Sequence, residues 1–347
     1  MSANLHIMQD GTVSLGIAQG AEPSWHGMEN IILPTDTDDE IIKKCGFNFS
    51  LIGKPAGYLD PMGNFREIPG KQIVTRSDTG FPVGVVGKSF QFHQPKEIID
   101  FFLSYARGLG LKLETAGVIG NGARYWAMAA TEVEGDLNGS GVDMCRLYAL
   151  LATAGDGSMT TIADPFAKRI VCNNTFNIAI KDFLDAQGTP ETKRGNKQSH
   201  RSAFSNELAA EGLGFDLENS TSAFLAQVED IRTLNNVKVG ERVADGFFRA
   251  LLRPELLRSN VTGQESFLFK FDTEKEREVR GFVDLKAAYT NAPGARPGTA
   301  RGLWEAVTYF IDHVRGTDDE ARLSSTLFGQ GKAIKARAWE MVLALRS

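Results

Sequence analysis

The stretch Cys145–Lys181, CRLYALLATAGDGSMTTIADPFAKRIVCNNTFNIAIK, constrains this chain more than any other. Two apolar runs, Leu147–Thr153 and Ile170–Cys172, flank a loop built on Ala154-Gly155-Asp156-Gly157-Ser158. Apolar and β-branched residues on both sides of a Gly-Asp-Gly loop predict a hairpin, because glycine reaches the backbone angles of a tight reversal. After the second run, Asn173-Asn174-Thr175 offers side chains that cap a helix, and Phe176–Ile180 is expected to start one. Lys168, Arg169 and Lys181 then place cations near a helix end whose free N–H groups favour an anion.

The rest of the chain frames this stretch. Residues 1–40 are polar and Gly-rich, with Trp25-His26-Gly27 as an anchor, and Ile41–Cys45 reads as a short helix. Ile68–Val74 and Pro82–Phe92 read as strands about the turn Ser77-Asp78-Thr79-Gly80. Pro95 stands where a first helical residue belongs, and Ile98, Ile99, Phe102, Leu103 and Ala106 share one helical face that Gly108 closes. Leu111–Val118 and Ala123–Glu132 alternate about Asn121-Gly122, a strong hairpin signal. Beyond the polar, basic Gly188–His200, helical spacing recurs at Phe224/Val228/Ile231, Val243/Phe247/Leu251 and Leu303/Val307/Phe310. These patterns predict an α+β protein, a largely antiparallel curved sheet with packed helices followed by a helical C-terminal part. The expected divisions are an N-terminal arm (1–45), a β-rich core (46–187), a basic linker (188–201) and a helical part (202–347).

Hydrophobic content of 42% over 347 residues is that of a globular chain with room for a large core. The formal net charge of -5 argues against coating nucleic acid by bulk charge but leaves room for one basic groove. The charge is uneven: Phe166–Arg201 holds seven Lys/Arg against three Asp/Glu, whereas residues 1–50 hold two against seven. Three scattered cysteines without a CxxC pair, no apolar run of membrane-spanning length and no secretory signal pattern point to the cytoplasm of a bacterial host.

Several motifs fail on inspection. Gly84-Val85-Val86-Gly87-Lys88-Ser89 looks like the end of a phosphate-binding P-loop, but Pro82 occupies the required glycine and a strand follows. The five histidines form no ligand pair, so no zinc site and no cofactor are expected. Asp156, Asp164 and His200 could meet as a metal-dependent nuclease centre, although turn aspartates commonly bond their own loop. Arg124 and Trp126 fall on one face of a strand, where an aromatic ring and a cation could meet a base and a phosphate; core packing with a solvated Arg is the more common reason for such a pattern. Lys168 and Arg169 with Lys193, Arg194, Lys197 and Arg201 form a basic run over a strand end and the linker, suited to phosphate contact.

Together these segments resemble the phage/plasmid-like family, a domain of unknown function carried on phages, plasmids and integrated elements. The likeness rests on Trp25-His26-Gly27, Thr75–Gly80 with Gly84–Gly87, Glu114–Gly117, Arg124–Ala127, Asp156-Gly157-Ser158, Arg169–Thr175 and Ala300–Arg315 with its Asp312-His313-Val314-Arg315 tail. That family usually carries a His before Asp-Gly-Ser, where Gly155 stands here, so a mechanism relying on that side chain is in doubt. The order hairpin, strands, helix is also similar to the core of phage single-strand annealing proteins, which assemble into rings or filaments and hold DNA without ATP.

The resulting expectation is an oligomeric protein that binds single-stranded DNA and anneals strands in recombination. Arg124, Lys168, Arg169 and Lys181 would contact phosphates, Lys193, Arg194, Lys197 and Arg201 would add affinity, and Trp126 would stack. The alternatives are the metal-dependent nuclease and a protein-binding factor of a mobile element acting on host defence.

Overall fold

A computed structural model describes residues 8, 11–21, 30–169, 175–177, 197–204, 216–257, 262–268, 281–317, 322, 325–326 and 329–346, with backbone alone for 175–177 and 197. It begins with β1 (Leu15–Ala18) and β2 (Asn30–Ile32), followed by α1 (Asp38–Lys44). Thr37 and Glu40 cap α1 reciprocally, with acids in its first turn and lysines in its last, each favoured by the helix dipole. Next come β3 (Leu51–Leu59), β4 (Phe65–Arg76) and β5 (Pro82–Gly87), a separate antiparallel sheet in the order β3-β4-β5. The motif Gly84–Ser89 thus lies on β5 and the turn beyond it, not before a helix.

The helix α2 (Pro95–Gly108) has Pro95 in its first turn, and all five residues of its predicted face are buried. After it, β6 (Lys112–Ile119), β7 (Arg124–Asp136), β8 (Met144–Ala154) and β9 (Thr161–Arg169) form an antiparallel meander. Two short strands, β10 (Thr175–Asn177) and β11 (Lys197–Gln198), both pair with β9. At the other edge β6 pairs with β1, and β2 lies parallel to β1. The α+β class and the curved sheet are as the patterns predicted.

Two details differ. The hairpin partner of β8 is Thr161–Arg169, with Cys145 opposite Arg169 and Ala152 opposite Ile162. Asp164 and Pro165 interrupt its alternation and so hide it in the sequence. Thr175–Asn177 is likewise a strand, so the helix expected from Phe176 does not start there. Lys197–Gln198 is sheet and His200 is buried, so the end of the expected linker belongs to the body.

Alternation divides the main sheet into two buried faces. On one, Tyr125, Ala127, Ala129, Ala149, Leu151 and Ala163 meet α2. Farther along the same face, Cys145, Leu147 and Ala167 join the core of the helical half. That half comprises α3 (Leu217–Leu234), α4 (Glu241–Leu252), α5 (Phe282–Asn291), α6 (Ala300–Tyr309) and α7 (Gln330–Leu343). The opposite face buries Trp126, Met128, Tyr148, Leu150 and Phe166.

Candidate nucleic-acid interface

The cations that the sequence singles out most strongly lie inside. Lys168 Nζ is 3.0 Å from Glu114 Oε1, and Tyr148 donates to the other oxygen of that carboxylate at 2.9 Å. Arg169 grips Asp143 through two bonds, Nε to Oδ1 at 2.5 Å and Nη2 to Oδ2 at 2.8 Å. Its Nη1 is 3.3 Å from Glu305 Oε1. Arg301 bonds the same two carboxylates from α6, and Arg296 reaches Asp143 at 3.2 Å. Burial works to raise the Asp143 carboxyl, but the bonds and charges of Arg169 and Arg301 outweigh it and hold the group below its usual range. Burial pushes the Glu305 carboxyl up, against the pull of Arg301 and Arg169.

This corrects the expected phosphate site. A guanidinium engaged by two buried carboxylates would have to leave both to meet a phosphate, and breaking such a pair costs about 3–5 kcal/mol. Arg169 is a clamp between β9 and α6, with Asp143 and Glu305 as its partners. Trp126 is also corrected as a stacking platform, since its indole is fully buried in the core. Lys181, Lys193 and Arg194 lie outside the described residues, as do Trp25-His26-Gly27, and Lys197 is placed by its backbone alone. Arg124 is half-buried with its guanidinium 3.4 Å from Ser158 Oγ, and Arg201 is exposed.

Several resemblance motifs converge at the end of the sheet that carries the Gly155–Ser158 loop. Asp156 Oδ1 accepts from the Ser158 backbone N–H at 2.8 Å, the turn role foreseen for it. Gly84 of β5 lies so close that a Cβ there would fall 2.8 Å from Asp156 Cβ. Arg76 bonds Asp78 through two nitrogens and stacks on Phe49, with its centre 3.8 Å from the ring centroid. Below the loop, the His93 and His200 rings meet with centroids 4.1 Å apart and planes tilted by 30°. The Ser202 carbonyl, 3.0 Å from His93 Nε2, fixes the proton there, so Nδ1 accepts from Thr161 Oγ1 at 2.6 Å. The Gln91 carbonyl fixes the His200 proton on Nδ1 in the same way. Burial, then the neighbouring His200, lowers the His93 pKa to about 4, and burial lowers that of His200.

The residues Asp156, Asp164 and His200 do not assemble. His200 lies over Thr153, whereas Asp164 projects from the other face of β9, where Lys332 Nζ holds it at 2.6 Å. Among the described residues no three His, Cys, Asp or Glu side chains are grouped to hold a metal ion.

Beside this end of the sheet projects a feature the sequence reading did not foresee. The strands β3 and β4 pair from Leu51↔Arg76 out to Leu59↔Phe65, and both faces of their outer part are exposed. The ribbon carries Tyr58, Leu59, Met62 and Phe65, from 57% exposed at Phe65 to 88% at Met62. Exposed Lys54 on one side and exposed Arg66 and Lys71 on the other flank them along the chain. At the tip Asp60 accepts from the backbone N–H groups of Met62 and Asn64 and pairs with Arg66 at 2.9 Å. Gly57 makes room for the Phe65 ring, since a Cβ there would fall 2.3 Å from it. The available signal was Asp60-Pro61-Met62-Gly63, a turn between two runs; Pro55, Gly57, Pro69 and Gly70 break the alternation that would have marked the strands.

A family model, a domain of unknown function called DUF932, matches residues 82–337. The chain belongs to the DUF932 family. The DUF932 span runs from β5 into α7 and takes in the main meander, the Gly155–Ser158 loop and the buried ion cluster, whereas β3 and β4 precede it. No curated protein and no solved structure matches the chain.

Proposed function

We propose that this protein is carried by a phage or plasmid and binds single-stranded DNA, annealing strands without ATP. One observation carries the reading: exposed cations flank exposed aromatic rings on a projecting β-ribbon of a chain whose net charge is -5. Segment 51–88 holds five Lys/Arg against three Asp/Glu, so the ribbon and its sheet are locally positive. Aromatic rings stack on bases without regard to sequence while cations follow the phosphates, which is what annealing requires. The small sheet meets the Gly155–Ser158 loop, so Arg124 and Arg201 would extend the contact from ribbon to body. The ribbon thus takes the role first expected of Lys168, Arg169 and Trp126.

Self-association belongs to the same proposal. The strands β2 and β3 are terminal members of their sheets, and an edge strand is a template for pairing with a second copy.

The test is fluorescence anisotropy with a labelled oligothymidylate over a range of salt, with and without magnesium. The proposal expects salt-sensitive binding without cleavage. Each lost phosphate contact lowers the salt slope by about 0.7, so Lys54→Ala/Lys71→Ala should lower it by about 1.4. Tyr58→Ala/Phe65→Ala should weaken binding by about 1–3 kcal/mol per stacked base. Absence of binding, or binding that ignores all four substitutions, removes the reading; magnesium-dependent cleavage supports the nuclease alternative. Leu59 and Met62 at the ribbon tip favour the protein-binding alternative if the ribbon captures a protein and not DNA.

A further inference from the structure

The Asp312-His313-Val314-Arg315 tail has no part in the DNA-binding reading, and it borders a cavity. As α6 ends, Phe310–Val314 continues as a π-helical turn, a wider form of helix frequent at functional sites. Asp312 is anchored by a buried ion pair with Lys335 of α7 and by a bond from Thr326 Oγ1 at 3.0 Å. This anchoring sets the position of the residue just past the turn, Arg315.

A cavity of about 840 Å³ opens between α4, α5, the π turn and α7, large enough for a small organic molecule. Leu251, Phe310 and Ile334 supply apolar lining, and Arg315 and Arg337 bring two cations. Arg315 Nη2 donates to Gln330 Oε1 at 2.9 Å, and Arg337 Nη1 donates to the Leu251 carbonyl at 3.1 Å. These bonds orient the guanidiniums without neutralising them. Among the described residues neither has a carboxylate within ion-pair distance, and the shielded Arg315 Nη1 has no hydrogen-bond partner. Among the described lining residues Asp284, exposed at the rim, is the remaining charged one, and these residues carry one positive charge in excess.

We propose that this cavity binds a small amphiphilic monoanion, a carboxylate or a phosphate ester on an apolar body. An oriented guanidinium in the lining suits an oxyanion through charge-assisted bonds, and the apolar lining takes the body. The excess of one charge matches a monoanion. The site is separate from the β-ribbon and does not depend on DNA binding.

Isothermal titration calorimetry on the full chain tests this with octanoate, octanol and inorganic phosphate. Octanoate is expected to saturate one site and raise the melting temperature, with octanol and phosphate at least tenfold weaker. Arg315→Gln and Arg337→Gln should each weaken octanoate about tenfold, and Ile334→Trp, which fills the cavity, should abolish binding. Vesicles of anionic phospholipid should not bind, because the head group would have to leave the bilayer to enter. No saturable octanoate binding by the unaltered chain overturns the proposal, and this arm stands even if a variant fails to fold. Phosphate as tight as octanoate, vesicle binding lost in the arginine variants, or binding indifferent to all three substitutions also overturns it.

Discussion

Arg169 and Asp143 meet inside the protein through two bonds, Nε to Oδ1 at 2.5 Å and Nη2 to Oδ2 at 2.8 Å. Asp143 leads into β8, Arg169 ends β9, and Arg301 and Glu305 bring α6 to the same point. The cluster therefore joins the sheet to the helical half.

Removing one member leaves buried charges without compensation. Arg169→Ala or Asp143→Ala should destabilise the protein by about 3–5 kcal/mol, read from the urea midpoint. In Lys168→Ala/Arg169→Ala, DNA binding by the folded fraction should keep its salt slope. A normal melting temperature together with a lower slope would return Arg169 to the phosphate site.

The ribbon should be nearly free of stability effects, because its outer side chains face water on both faces. Tyr58→Ala should stay within about 0.5 kcal/mol of the unaltered protein in urea unfolding. A loss of 2 kcal/mol or so would mean that Tyr58 is packed, and the ring would then be unavailable for stacking.

Acid should act through His93. The folded protein resists protonating it down to about pH 4, whereas the unfolded chain takes up that proton near pH 6.5. Between those values the unfolded state binds more protons, so stability falls as pH falls, by roughly 3 kcal/mol in all. Urea midpoints from pH 7 to 4 should show this slope, and His93→Gln should flatten it. An unchanged slope in the variant would rule out His93 as its source.

Gly246 of α4 is crossed closely by another segment. A Cβ there would lie 1.9 Å from the Phe267 carbonyl oxygen, so Gly246→Ala forces backbone apart and should cost about 3 kcal/mol. A melting temperature unchanged by the substitution would contradict that contact.

The sequence determined what depends on local chemistry. Pro95 and the spacing of Ile98, Ile99, Phe102, Leu103 and Ala106 specify α2, because a proline fits the first turn and those positions share one face. Asn121-Gly122 specifies the turn between β6 and β7, where Asn121 and Gly122 both take positive φ. The Gly155–Ser158 loop follows from the same kind of signal. Pairing across distance left no such mark. Only the fold brings Asp143 and Glu305 to Arg169, making a buried clamp of a cation that in one dimension looks free to meet phosphate. Only the fold buries Trp126 and exposes Tyr58 and Phe65, since a ring's exposure depends on what packs over its strand. The sequence offered Asp156, Asp164 and His200 as residues that could meet, but the partner that His200 finds is His93, which stands far from it in sequence and is brought there by the fold. Hydrogen-bond and charge partners so far apart are chosen by tertiary packing, which residue order does not encode position by position.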